Sequence, residues 1–145
     1  MIRKFNIEDL DAVMDIWLTT NISSHDFIEE TYWHESFSMV REMIPLASVH
    51  VYELKGEVAG FMGVVQDEVA GIFIKDAHQS RGAGKRLLNQ VKADHSILSL
   101  KVYVKNVRAL DFYLREGFVI RSEQADLMTG ESEYVMQWMK HPVPD

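Results

Sequence analysis

The chain has 145 residues, 47% hydrophobic and 26% charged, enough to bury a core without staples and too apolar for a disordered or low-complexity protein. It holds no cysteine, which removes disulfides, thiolate metal sites and cysteine nucleophiles, and its net charge of −7 argues against a nucleic-acid binder. Met1–Phe5 runs straight into a charged stretch, and no apolar run approaches the roughly 20 residues of a membrane span. A cytoplasmic protein without a signal peptide or membrane contact is expected.

Ile2–Phe5 reads as a short strand. Asp9 stands at a helix start, and Leu10, Val13, Met14, Trp17 and Leu18 recur on one helical face. After the polar break Thr19–Ser24, a second helix carries Trp33, Phe37, Val40 and Ile44 on one stripe. Pro45 disfavours helix in the residue before it, so this helix should stop near Met43. From Ser48 the period changes. Val49–Leu54 and Glu57–Val65 are strands joined by the tight turn Lys55-Gly56. The nearly unbroken apolar run Val69–Ile74 predicts a strand covered on both faces.

Gly84–Asp94 reads as a helix with Leu87, Leu88 and Val91 inward, and Leu98–Val104 alternates as a strand does. Ala109–Arg115 is a further helix, closed by Gly117 in the position of a C-terminal cap. Val119–Gln124 and Glu133–Met139 are strands paired through the loop around Gly130. The order β-αα-βββ-α-β-α-ββ, with no repeat or linker, predicts one α/β domain over residues 1–145 with a mixed sheet.

The charge is unevenly placed. Residues 75–121 hold ten bases against four acids, inside an otherwise acidic chain. That block is either a chance cluster of solvated side chains or an anion site. Within it, Gln79-Ser80-Arg81-Gly82-Ala83-Gly84-Lys85 lies between a strand and a helix. Free N–H groups and the dipole of a helix N-terminus attract anions there, and glycine lets backbone approach a phosphate. A nucleotide-triphosphate loop needs glycine at position 79 and Ser or Thr at 86, where Gln79 and Arg86 stand. A dinucleotide fingerprint needs a third glycine where Leu87 stands. Both readings fail, leaving an ordinary tight turn or a different phosphate ligand.

Gln79-x-x-Gly82-x-Gly84 after a central strand resembles the acyl-CoA loop of the GNAT N-acetyltransferase superfamily. Asn106-Val107-Arg108-Ala109-Leu110-Asp111-Phe112-Tyr113, followed by Gly117-Phe118, resembles that family's second signature. The element order is similar from end to end, so the resemblance spans nearly the whole chain. It implies a GNAT fold, about seven strands flanked by about four helices, and transfer of the acetyl group of acetyl-CoA to a primary amine. With no cysteine, direct attack of the amine is the route left.

Residue by residue, the resemblance places the CoA pyrophosphate on the amides of Gln79, Ser80, Arg81, Gly82, Ala83, Gly84 and Lys85. The pantetheine arm would lie against Ile72, Phe73 and Ile74, and Asn106 would bond the arm, although Asn is also a favoured helix N-cap. Tyr113 would be the general acid for the departing thiolate, or alternatively a core ring packed with Phe112. Glu68, at the start of the strand leading to the loop, would be the base, or else a solvated carboxylate. His25 is a second base candidate. The stretch His25-Asp26-Phe27-Ile28 resembles one that lines the acceptor pocket of some small bacterial members, with Phe27 and Trp33 as further wall residues.

The six histidines are scattered and lack metal-ligand spacing, so no metal is expected. The acceptor could be a protein lysine, an N-terminus or a small cationic amine. A non-catalytic acyl-CoA sensor is the alternative. A homodimer through the final strand, Tyr134–Met139, is also an expectation from the family.

Overall fold

Strand pairing is set by a two-residue turn. Lys55 and Gly56 both take left-handed φ, 53° and 81°, which matches the twist of the flanking strands, and Leu54 pairs with Glu57 across the turn. The computed structural model describes residues 1–141. Its strands are β1 (Ile2–Lys4), β2 (Ser48–Leu54), β3 (Glu57–Val65), β4 (Glu68–Ile74), β5 (Ile97–Tyr103), β6 (Val119–Ala125) and β7 (Ser132–Met139). They form one sheet in the order β1-β2-β3-β4-β5-β7-β6. All neighbours are antiparallel except β4 and β5, which run parallel.

Four helices cover the sheet: α1 (Leu10–Ser24), α2 (Glu30–Met43), α3 (Ala83–Lys92) and α4 (Val107–Arg115). The element sequence is the one read from the chain. Val13, Ile16, Trp17 and Trp33 of α1 and α2 pack with Val49, Val51 and Phe61 on one face of the sheet. Leu87, Leu88 and Val91 of α3 pack with Met62, Val64, Leu98 and Leu100 on the other. As expected, α2 ends at Met43, and Pro45 follows inside a short 3-10 turn.

Two expectations are corrected. The strand covered on both faces is β3, buried from Val58 to Val64, whereas β4 is buried only at Val69. The reason is a bulge. Gly63 pairs with Gly71 but Val64 pairs with Val69, so Ala70 of β4 is an extra residue without a partner. A bulge bends and twists its strand. β4 consequently pairs with β5 only at Glu68–Ser99, and past the bulge Ile72, Phe73 and Ile74 border a cavity. The second correction concerns β7. It lies between β5 and β6 with both edges paired, so it has no free edge to offer a second copy.

The course of β4 beyond the bulge depends on close approach to β3. A Cβ placed on Gly60 would lie 2.6 Å from Ile74 Cδ1 and 2.8 Å from the Phe73 carbonyl oxygen. Gly60→Val is therefore expected to cost about 1–3 kcal/mol and to lower Tm by about 3–10 °C in a thermal melt. Gly63→Ala, whose added carbon would meet only Ala70 and Val49 side chains at 3.8 and 3.9 Å, should leave Tm within about 2 °C.

Candidate active site

Along the far half of β4, where it has left β5, lies a cavity of about 820 Å³. One wall is Ile72, Phe73 and Ile74 with Gln79, Ser80 and the start of α3. The other is Asn106, Ala109, Phe112 and Tyr113, and the α1 side is closed by Asn21, Ser24 and His25. Residues as far apart as Asn21 and Tyr113, 92 positions, thus meet around one space.

The loop is shaped by backbone. Ser80 and Gly82 take φ of 63° and 84°, and Gly82 caps α3, a conformation that costs a non-glycine residue roughly 1–2 kcal/mol. The first bond of α3 runs from the Arg86 N–H to the Gly82 carbonyl at 3.1 Å. The N–H groups of Ala83, Gly84 and Lys85 have no carbonyl within the helix to reach and stand at the positive end of its dipole. Lys85 lines the cavity. Arg81, placed with the loop in the sequence reading, does not.

Gln79 and a residue that the sequence reading did not assign hold the loop in place. The Gln79 amide donates to the Ile74 carbonyl at 2.9 Å and to Asp76 at 3.1 Å. Arg108, in the first turn of α4, donates to Gln79 Oε1 and, at 2.7 Å, to Ser80 Oγ. It straps α4 to the loop. Its position two residues after the helix cap, within the second motif, is the signal that could have found it.

Tyr113 is fixed by the end of α4. Gly117, at φ 95°, lets the Gly117 N–H bond the Leu114 carbonyl at 3.2 Å and the Phe118 N–H bond the Tyr113 carbonyl at 3.0 Å, a Schellman closure. Phe118 is thereby driven inward with its ring edge-on to Tyr113, 5.5 Å between centroids. Burial pushes the Tyr113 phenol well above its ordinary pKa, so it keeps its proton at neutral pH.

Asn106 caps α4: its Oδ1 accepts the Ala109 N–H at 3.2 Å. Its Nδ2 therefore faces the other way and donates to His25 Nε2 at 3.1 Å. His25 Nδ1 lies 3.1 Å from the Asn21 carbonyl, which can only accept, so Nδ1 carries the proton and Nε2 is bare. Trp33 stacks on the ring at 5.3 Å, and Phe27 and Tyr103 meet it edge-on at 5.6 and 5.2 Å. Phe27 and Trp33 thus back His25 instead of lining the cavity themselves. Burial lowers the His25 pKa, opposed by the Asn21 carbonyl.

Beside Tyr103, whose ring meets His25, lie two carboxylates with no local sequence signal. Tyr103 donates its hydroxyl hydrogen to Asp126, 23 residues away on the loop between β6 and β7. Burial pushes the Asp126 carboxyl up, but bonds from the Tyr103 hydroxyl and the Met128 N–H outweigh it and hold the pKa below its usual value. Glu133, buried and cross-strand from Tyr103, accepts from Gln124 at 2.7 Å. Among the described residues no cation pairs with Asp126 or Glu133. Glu68, the first base candidate, is not brought to the site. It is exposed at the closed end of the β4–β5 gap, where those strands still pair, and the cavity opens at the other end of β4.

Residues 45–120, just over half of the chain, match the acetyltransferase (GNAT) domain family. The chain belongs to the GNAT acetyltransferase family. It is 31% identical to the peptidyl-lysine N-acetyltransferase YiaC of Escherichia coli strain K12 over 140 residues, 95% of this chain and 96% of that one. The peptidyl-lysine N-acetyltransferase YjaB of Salmonella typhimurium strain LT2 is 29% identical over 87% of this chain and 89% of its own. Among solved structures, the apo form of YjaB from Escherichia coli superposes with a TM-score of 0.83 at 23% identity, covering 95% of this chain and 96% of that one. An aminoglycoside 6′-N-acetyltransferase complexed with coenzyme A gives 0.74 at 14% identity, covering 100% and 99%. These two structures bear on the fold: the mixed seven-stranded sheet and four helices are the GNAT arrangement.

The neutral, half-buried state of His25 has a consequence for stability. Its pKa is lower folded than unfolded, where it is about 6.5, so the unfolded chain binds more protons below that value and stability falls as pH drops through it. Tm should decline between pH 7.5 and 5.5, and decline less in His25→Gln, as followed by calorimetry.

Proposed function

We propose that this chain transfers the acetyl group of acetyl-CoA to the side-chain amine of lysine in a protein acceptor. The observation that carries the reading is one cavity lined together by a helix-end anion site, the half-exposed edge of β4 and Tyr113. In this reading the N–H groups of Ala83, Gly84 and Lys85 take the pyrophosphate, with Lys85 and Arg108 adding charge. Backbone of Ile72–Ile74, left without a β5 partner, pairs with the amides of the pantetheine arm. A strand edge that lacks its neighbour is a natural partner for an extended amide chain.

The amine attacks the thioester carbonyl directly. As the C–S bond lengthens, Tyr113 places its hydrogen on the sulfur. A phenol is a weaker acid than a thiol, so this transfer is concerted with C–S cleavage and does not precede it. Lysine is favoured as acceptor by the two relatives named above, and the carboxylates of Asp126 and Glu133 beside Tyr103 suit a cation.

The test is an acetylation panel of lysine peptides, N-terminal peptides, polyamines and aminoglycosides, scored by thiol release and by the mass of the product. Lysine peptides should be modified. Tyr113→Phe should lower kcat by about 100-fold while leaving the KM for acetyl-CoA unchanged. If acetyl-CoA binds but no amine in the panel turns over, the non-catalytic acyl-CoA sensor is the better reading.

A further inference from the structure

Every polar atom of His25 is held. The Nδ1 proton goes to the Asn21 carbonyl at 3.1 Å, Nε2 receives the Asn106 amide at 3.1 Å, and the ring is packed by Trp33, Phe27 and Tyr103. A solvated loop histidine requires none of these partners. The charged and titratable surroundings are sparse: Tyr103 touches the ring, Asp126 lies behind it on the Tyr103 hydroxyl, and Lys105 sits 5.6 Å over Phe27. The basic nitrogen is therefore covered by an amide hydrogen from Asn106, a residue that also lines the cavity. Asn106 is anchored at Oδ1 by the α4 cap, so its NH₂ is the half that can change partner.

We infer that His25 Nε2 is the base that takes the acceptor's proton, and that Asn106 covers this nitrogen until a ligand amide in the cavity draws its NH₂ away. This deepens the acetyl-transfer reading and rests on it. A lysine ammonium entering the cavity beside His25 is partly desolvated, which weakens its hold on the proton. It gives one proton to His25 Nε2 and becomes the free amine. The amine lone pair forms the N–C bond, the C–S bond breaks, and sulfur leaves with the Tyr113 proton. The surplus proton on the new amide nitrogen restores the phenol, and His25 returns its own proton to water.

The experiment is a pH titration of the His25 ring by long-range ¹H–¹⁵N NMR, with and without coenzyme A, in wild type and Asn106→Ser. Serine keeps a helix cap but is too short to reach the ring. A hydrogen bond to the bare nitrogen opposes protonation, so removing it raises the midpoint. The midpoint should rise with coenzyme A in wild type, be raised already in Asn106→Ser, and move little further there on adding coenzyme A. In parallel, His25→Gln should lower kcat for a lysine peptide by about 100-fold. It should also abolish the rise of kcat/KM with pH and spare the KM for acetyl-CoA.

A midpoint that stays put while the amides of Gly82 and Gly84 respond to coenzyme A overturns the covering role. A His25→Gln enzyme with normal rate and pH profile overturns the base. A moved midpoint without peptide acetylation overturns lysine as the acceptor and leaves the covering role supported. Loop amides that ignore coenzyme A overturn the reading and the inference together.

Discussion

The site depends on one broken pairing. β4 and β5 share a single bridge at Glu68–Ser99 and then separate, because the extra residue Ala70 bends β4 between Val69 and Gly71. Parallel neighbours in an α/β sheet ordinarily stay bonded along their length and are covered on both faces. Here the far half of β4 keeps its antiparallel bonds to β3 and turns its other edge to a cavity. Each remaining feature lies on the rim of that opening: the loop at the end of β4, the start of α3, the cap of α4 and the loop after α1.

The two sides of the opening are joined by hydrogen bonds as well as by the Phe112 ring, which lies close to Gly84. Arg108 reaches from α4 to Gln79 and Ser80, and Gln79 reaches back to the end of β4. On the α1 side, Asn21, His25, Asn106 and the Ala109 N–H form an unbroken chain of donors and acceptors. A packed apolar seam would close the gap for good. Polar links can exchange partners with a ligand that carries amides and phosphates, at modest net cost for each bond exchanged. The same chain fixes the histidine tautomer and aims the Asn106 amide.

The fold was legible because its signals are local. Lys55-Gly56 specifies a turn, Pro45 marks a helix end, and Gly117-Phe118 closes α4 while pinning Tyr113. The loop and Asn106 could be read for the same reason: each sits at a helix N-terminus, where a few adjacent residues decide the geometry. What could not be read was how far strands pair. The apolar run of β4 looked like a doubly covered strand because hydrophobicity does not distinguish a buried face from a cavity wall. Glu68 was misplaced by the same gap in information, since sequence distance along a strand does not tell which end opens. Tyr103, Asp126 and Glu133 meet only through the β5–β7 register and the loop before β7, and no short window of sequence contains that.

The most direct measurement is a crystal structure with acetyl-CoA bound. The expected result is pyrophosphate on the N–H groups of Ala83–Lys85, the pantetheine arm paired with Ile72–Ile74, and the thioester sulfur in hydrogen-bond contact with the Tyr113 hydroxyl. Phosphates bound away from the start of α3, or a thioester that reaches the cavity without approaching Tyr113, would contradict the claim that the β4–β5 opening is the acyl-transfer site.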